Sequence, residues 1–107
     1  MGWNAGYKIF EATVVGAYDL GKLDKDLLSV LMEPYRNTDI DSGGRLGLMA
    51  KDGKDIDQIV IETWGLEMPQ RPDGEPPGMT GDWTEWDEYY DTIYNRFCKV
   101  TEHFGWL

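Results

Sequence analysis

The chain has 107 residues, 41% of them hydrophobic, and sets twenty acidic against ten basic side chains for a net charge of −10. Such a length holds one domain with a small core, and ordinary apolar content excludes a wholly disordered chain. The charge excludes bulk attraction to nucleic acid or anionic membrane, whose phosphates it repels, and leaves basic protein surfaces or cations as partners.

A single cysteine, Cys98, excludes an internal disulfide. No basic stretch followed by an apolar run marks the N-terminus, and no apolar run reaches membrane-spanning length. The expected location is the cytoplasm of a cell or a host.

Residues 3–20 read as a first helix. Tyr7, Phe10, Val14, Ala17 and Tyr18 lie along one side, with Asn4 as cap and Gly21 as stop. A strand through 9–15 competes, because Thr13, Val14 and Val15 are β-branched. Asp24 caps a second helix with Leu27, Leu28, Leu31 and Met32 inward. Leu23 and Leu28 form a hydrophobic staple, and Pro34 ends the helix near Glu33. The short connection at 21–23 makes these two an αα-hairpin.

Residues 37–53 are polar and glycine-rich, with Leu46, Leu48 and Met49 expected against the core. Asp39, Asp41 and Gly44 match the front of a calcium loop. The position that needs a bidentate glutamate holds Ala50, which favours a simple turn over a cation site. Residues 55–64 place Ile56, Ile59, Val60 and Trp64 on one helix face that ends at Gly65. The alternative is a short strand over 59–64. Residues 66–81 hold four prolines and three glycines and exclude regular structure. Sixteen residues is long for a connection within one domain, and loops of that length are usually functional.

The strongest helical signal runs over 84–104. Trp86, Tyr90, Ile93, Phe97, Val100 and Phe104 form one stripe, and Asp87, Glu88, Asp91 and Glu102 lie opposite. Asp82 or Thr84 is the N-cap, each with an acid three residues on. Gly105 is the stop, and Trp106 stands where a Schellman motif places its apolar residue. The fold class that follows is mostly α. It is a single domain over 1–107 of three to four helices, with an N-terminal αα-hairpin and a long C-terminal helix. An α+β version with a strand near 59–64 is the alternative.

The charge is uneven. Residues 66–107 carry nine acids against three bases, and seven acids with no base stand between Arg71 and Arg96. Acids three or four apart on a helix lie roughly 5–6 Å from one another, a repeat that a groove lined with lysine and arginine accepts as it would phosphates. The candidate partner-binding residues are Asp82, Glu85, Asp87, Glu88 and Asp91 for charge, with Trp83, Tyr89 and Tyr94 for contact area.

Small DNA-mimicking anti-restriction and anti-CRISPR proteins of phages and mobile elements are similar in size and acidity. That similarity is compositional and implies an inhibitor that imitates nucleic acid.

Catalytic chemistry finds no constellation. One cysteine and one histidine, five apart on a single helix, make neither a zinc site nor a nucleophile–base pair. The two serines lie outside any nucleophile elbow. The expected function is therefore not enzymatic and needs no cofactor or metal. It is a small acidic protein-interaction module that binds stoichiometrically to a basic surface. A cation-binding module through Asp39 and Asp41, and a structural subunit that forms a homodimer, are the alternatives.

Overall fold

A computed structural model describes residues 3–38 and 46–106. Four helices follow one another: α1 (Trp3–Asp19), α2 (Lys25–Met32), α3 (Ile56–Trp64) and α4 (Thr84–His103), with a 3-10 turn at Glu33–Tyr35 after α2. Asp39, Asp41 and Gly44 lie outside the described residues.

No β-strand occurs among the described residues, so the fold is all-α. The strand alternative over 59–64 is overturned, because that run lies inside α3. Its start is fixed by Asp55, whose carboxylate accepts a hydrogen bond from the Gln58 N–H at 3.0 Å. Ile56, Ile59 and Val60 then fall on one face and are buried, so tertiary burial outweighs their β propensity. The strand alternative over 9–15 is likewise absent, since those residues lie within α1.

Three helices end in the same way. Gly21, Gly65 and Gly105 all adopt left-handed backbone, with φ of 69°, 98° and 68°. Behind each, an N–H of the following residue reaches back to a helix carbonyl: Lys22 to Ala17 at 3.0 Å, Leu66 to Ile61 at 3.0 Å and Trp106 to Thr101 at 3.1 Å. These are Schellman closures, which satisfy carbonyls that a helix end leaves without partners. The cap of α1 differs from expectation: the helix begins at Trp3, so Asn4 is already inside it. Asp24 does cap α2, accepting from the Leu27 N–H at 2.8 Å.

α1 and α2 form the hairpin. α3 touches α1, α2 and α4, and so lies at the centre. The core gathers Tyr7, Phe10, Val14 and Val15 of α1, Leu28 and Met32 of α2, Ile56, Ile59, Val60 and Ile61 of α3, Phe97 and Val100 of α4, and Phe104 at its C-cap. Trp106 reaches across to the hairpin. Its ring meets Phe10 at 5.2 Å and Tyr35 at 5.7 Å, and its indole N–H donates to the Met32 carbonyl at 3.2 Å.

Two apolar expectations are corrected. Leu46, Leu48 and Met49 are exposed, and Ala50 is the residue of that segment that reaches the core. The segment is held instead by Glu11, a fully buried carboxylate that accepts from the backbone N–H groups of Leu46 at 3.2 Å and Leu48 at 2.9 Å. Tyr90 is exposed although it falls on the apolar stripe of α4. The first half of α4 runs beyond the main core, whose α4 residues begin at Ile93.

Gly105 is required twice, by its positive φ and because an added Cβ would stand 2.9 Å from Asn37 Oδ1. Gly105→Ala is expected to lower stability by about 1–2 kcal/mol, measured by urea denaturation with unchanged m-value.

Candidate functional site

The loop over 66–81 has no regular structure, yet it is tied down along its length. The Arg96 guanidinium donates to the Glu67 carbonyl, anchoring the loop's start to α4. Arg71 lies over the ring of Trp86, 5.3 Å from its centroid, a cation–π contact. The Trp83 indole N–H donates to the Gly78 carbonyl at 3.1 Å and closes the far end. Pro77 then presses on Gly81: a Cβ there would stand 2.3 Å from the proline's own Cβ, so only glycine fits.

These ties explain why Trp86 is buried although it stands outside the main core. It is covered by Arg71 and by Tyr89 and Tyr90, whose rings lie 5.9 Å from its own. The result is a second, small aromatic cluster at the N-terminal half of α4.

The loop does not lie flush on the helix. Between them is an open groove of about 380 Å³, walled by Pro69, Gln70, Arg71, Pro72 and Asp73 on one side and by Glu85, Glu88, Tyr89 and Thr92 on the other. Three carboxylates therefore line the groove with one guanidinium, two of them on the wall across from it. None of Arg71, Glu85 and Glu88 forms an ion pair among the described residues.

The eight candidate residues separate into three groups. Glu85, Glu88 and Tyr89 line the groove together. Asp87, Asp91 and Tyr94 are exposed on the other flank of α4, as a turn of 100° per residue requires. Asp82 and Trp83 act on the loop and the helix start. Asp82 accepts from the Thr84 N–H at 3.0 Å and from its hydroxyl at 2.7 Å. Neither Asp82 nor Thr84 is the N-cap that the sequence suggested: Thr84 is the first helical residue, and Asp82 supports the helix start from two positions ahead of it. Trp83 at the cap position itself makes no side-chain cap bond.

Sequence reasoning missed Arg71. It bounds the base-free window in the chain, but in space it stands in the wall of the acidic groove. The adjoining prolines and Trp86 were the available signal, since arginine stacks readily on an exposed aromatic face.

Elsewhere, Cys98 is partly exposed, and the Tyr94 hydroxyl beside it has its pKa raised by the side-chain contact with that thiol. Among the described residues no three His, Cys, Asp or Glu side chains are grouped to hold a metal ion, and no helix is long and apolar enough to cross a membrane. No protein-family model, characterised protein or solved structure matches the chain significantly.

Two measurements test this geometry. Gly81→Ala must push Pro77 aside; amide hydrogen exchange across 66–81 is expected to rise at least about tenfold while protection in α1 and α3 is kept. The second concerns Asp82, whose carboxyl is held below the ordinary aspartate pKa by the Thr84 N–H and then by its hydroxyl. A depressed folded pKa stabilises above the unfolded value of about 3.9 and loses that stabilisation as pH falls through the folded value. Asp82→Ala is therefore expected to lower the melting temperature at pH 7, with the difference from wild type shrinking as the pH is lowered below about 4.

Proposed function

We propose that the protein is a stoichiometric binding module, not an enzyme, and that it docks a basic protein surface on the groove between the 66–81 loop and α4. The observation that carries this reading is the groove's construction. Its loop wall is clamped by Arg96, Arg71, Trp83 and the Pro77–Gly81 contact, so the cleft is formed before any partner arrives. A preformed site loses less ordering entropy on binding than one assembled from a free loop.

Within it Glu85 and Glu88 are neighbours on one helix face, and Tyr89 offers a half-buried ring beside them. An arginine of the partner would pair with the carboxylates and stack on the tyrosine, a combination of charge-assisted hydrogen bonds and cation–π contact. Arg71, held on Trp86, leaves both carboxylates open to an incoming cation.

The finer proposal is that the basic surface belongs to a nucleic-acid-binding protein and that this chain blocks it. Glu85, Glu88 and Asp91 step around the solvent side of α4 at intervals of three. That is a run of negative charge that a phosphate-binding groove accepts. Such a binder acts in the cytoplasm, against a cellular or host target.

The test is a pull-down from lysate at low and high salt, with three baits. Glu85→Lys/Glu88→Lys is expected to lose the partner, since it reverses the groove charge. Asp87→Lys/Asp91→Lys, on the other flank, is expected to weaken it by less. Wild type should release the partner when duplex DNA is added and as salt rises. Equal retention by the groove variant and wild type would sink the proposal.

A further inference from the structure

The outward face of α1 differs from the rest of this acidic molecule. Ile9, Ala12, Thr13, Gly16 and Leu20 recur at helical spacing opposite the buried Tyr7, Phe10 and Val14 and the half-buried Tyr18, and all five are exposed. Ile9 is 52% and Leu20 72% exposed. The Thr13 hydroxyl donates to the Ile9 carbonyl at 2.8 Å, so its polar group is used within the helix. No charge falls on the stripe.

Gly16 sits at its middle and is unexplained by the fold. Its φ is not positive, and a Cβ added there meets nothing within 4 Å. Glycine inside a helix costs stability relative to alanine, and here no internal contact requires it. What glycine provides on an outward helix face is close approach by something outside.

We infer that this face pairs two copies of the chain through antiparallel packing of α1 on α1. A second copy fits by size and by charge. With a two-fold axis between Thr13 and Gly16, each Ile9 lies opposite Leu20 of the second copy and each Thr13 opposite its Gly16. Large residues meet at the ends and small ones at the centre, which lets the helices close. Lys8 and Asp19 flank the stripe on the same edge, so the two-fold axis brings each Lys8 beside Asp19 of the second copy. Asp19 has one oxygen committed, accepting from the Lys51 N–H at 2.8 Å, and one oxygen for the pair. Two chains of charge −10 repel, and an uncharged face is where they approach at least cost. One helix face is a small interface, so the dimer is reversible and concentration-dependent. It leaves the α4 groove free and stands independently of the function proposed for it.

The test is sedimentation equilibrium of the full chain from about 10 μM to about 1 mM, where mass action separates a reversible dimer from a monomer. Wild type is expected to dimerise more strongly as salt rises, because net repulsion is screened. Leu20→Lys, which lowers the net negative charge, and Gly16→Leu, which blocks close approach, are each expected to weaken association at least about tenfold. Gly16→Ala controls for folding, since it is expected to raise the monomer's melting temperature. A wild type that stays monomeric throughout overturns the inference. So does a dimer that both Leu20→Lys and Gly16→Leu leave intact.

Discussion

The turn at Gly105 is the constraint on which the tertiary structure closes. A left-handed glycine ends α4 and sends Trp106 back across the domain to Phe10 of α1 and Tyr35 after α2. The indole N–H then donates to the carbonyl of Met32 at the end of α2, tying the two helix ends together. The Asn37 N–H donates to the Gly105 carbonyl at 2.9 Å and locks the same corner. One reversal thus joins the C-terminus to the hairpin, while α3 holds the centre.

Because the main core takes only the second half of α4, the first half needs other support. It comes from the loop, through contacts unlike those of the core: an arginine on an indole, an indole N–H on a carbonyl, a proline against a glycine. These cover Trp86 and fix the loop's geometry. A segment rich in proline already has restricted φ, so few contacts suffice to hold it. The groove is the space left between a loop clamped at intervals and a helix whose facing residues are charged.

Much of the fold was legible in the residues. Helix positions followed from apolar spacing, and stops from Gly21, Gly65 and Gly105, because both signals are local. The burial of Phe97, Val100 and Phe104 followed likewise. What was not legible depended on distance. Tyr90 shares the stripe with Phe97 but lies where no other helix reaches, and spacing on one helix cannot report its neighbours. Glu11 reads as a surface acid, and is buried because the 46–48 backbone supplies its hydrogen-bond donors across more than thirty residues of sequence. Of the candidate site, Glu85, Glu88 and Tyr89 do come together. Asp87, Asp91 and Tyr94 were assigned to the same surface from charge density along the chain, which does not distinguish the flanks of a helix. Arg71 entered the groove by the fold of the loop alone.

The distribution of charge decides what each surface is able to do. An excess of ten acids spread evenly would make every face repel its own copy and attract any cation weakly. Here the loop–α4 end concentrates carboxylates beside aromatic rings, whereas the outward stripe of α1 carries none. On the function proposed for it, the first surface would draw a basic partner, whose arginines would find both charge and a ring to stack on. The same carboxylates disfavour self-association there, and the proposed dimer uses the uncharged stripe instead. Specificity against the wrong contact is built by repulsion as much as by fit. The two faces lie on different helices. A dimer through α1 would then present two acidic grooves to one target, and two linked sites bind more tightly than one wherever the target spans both.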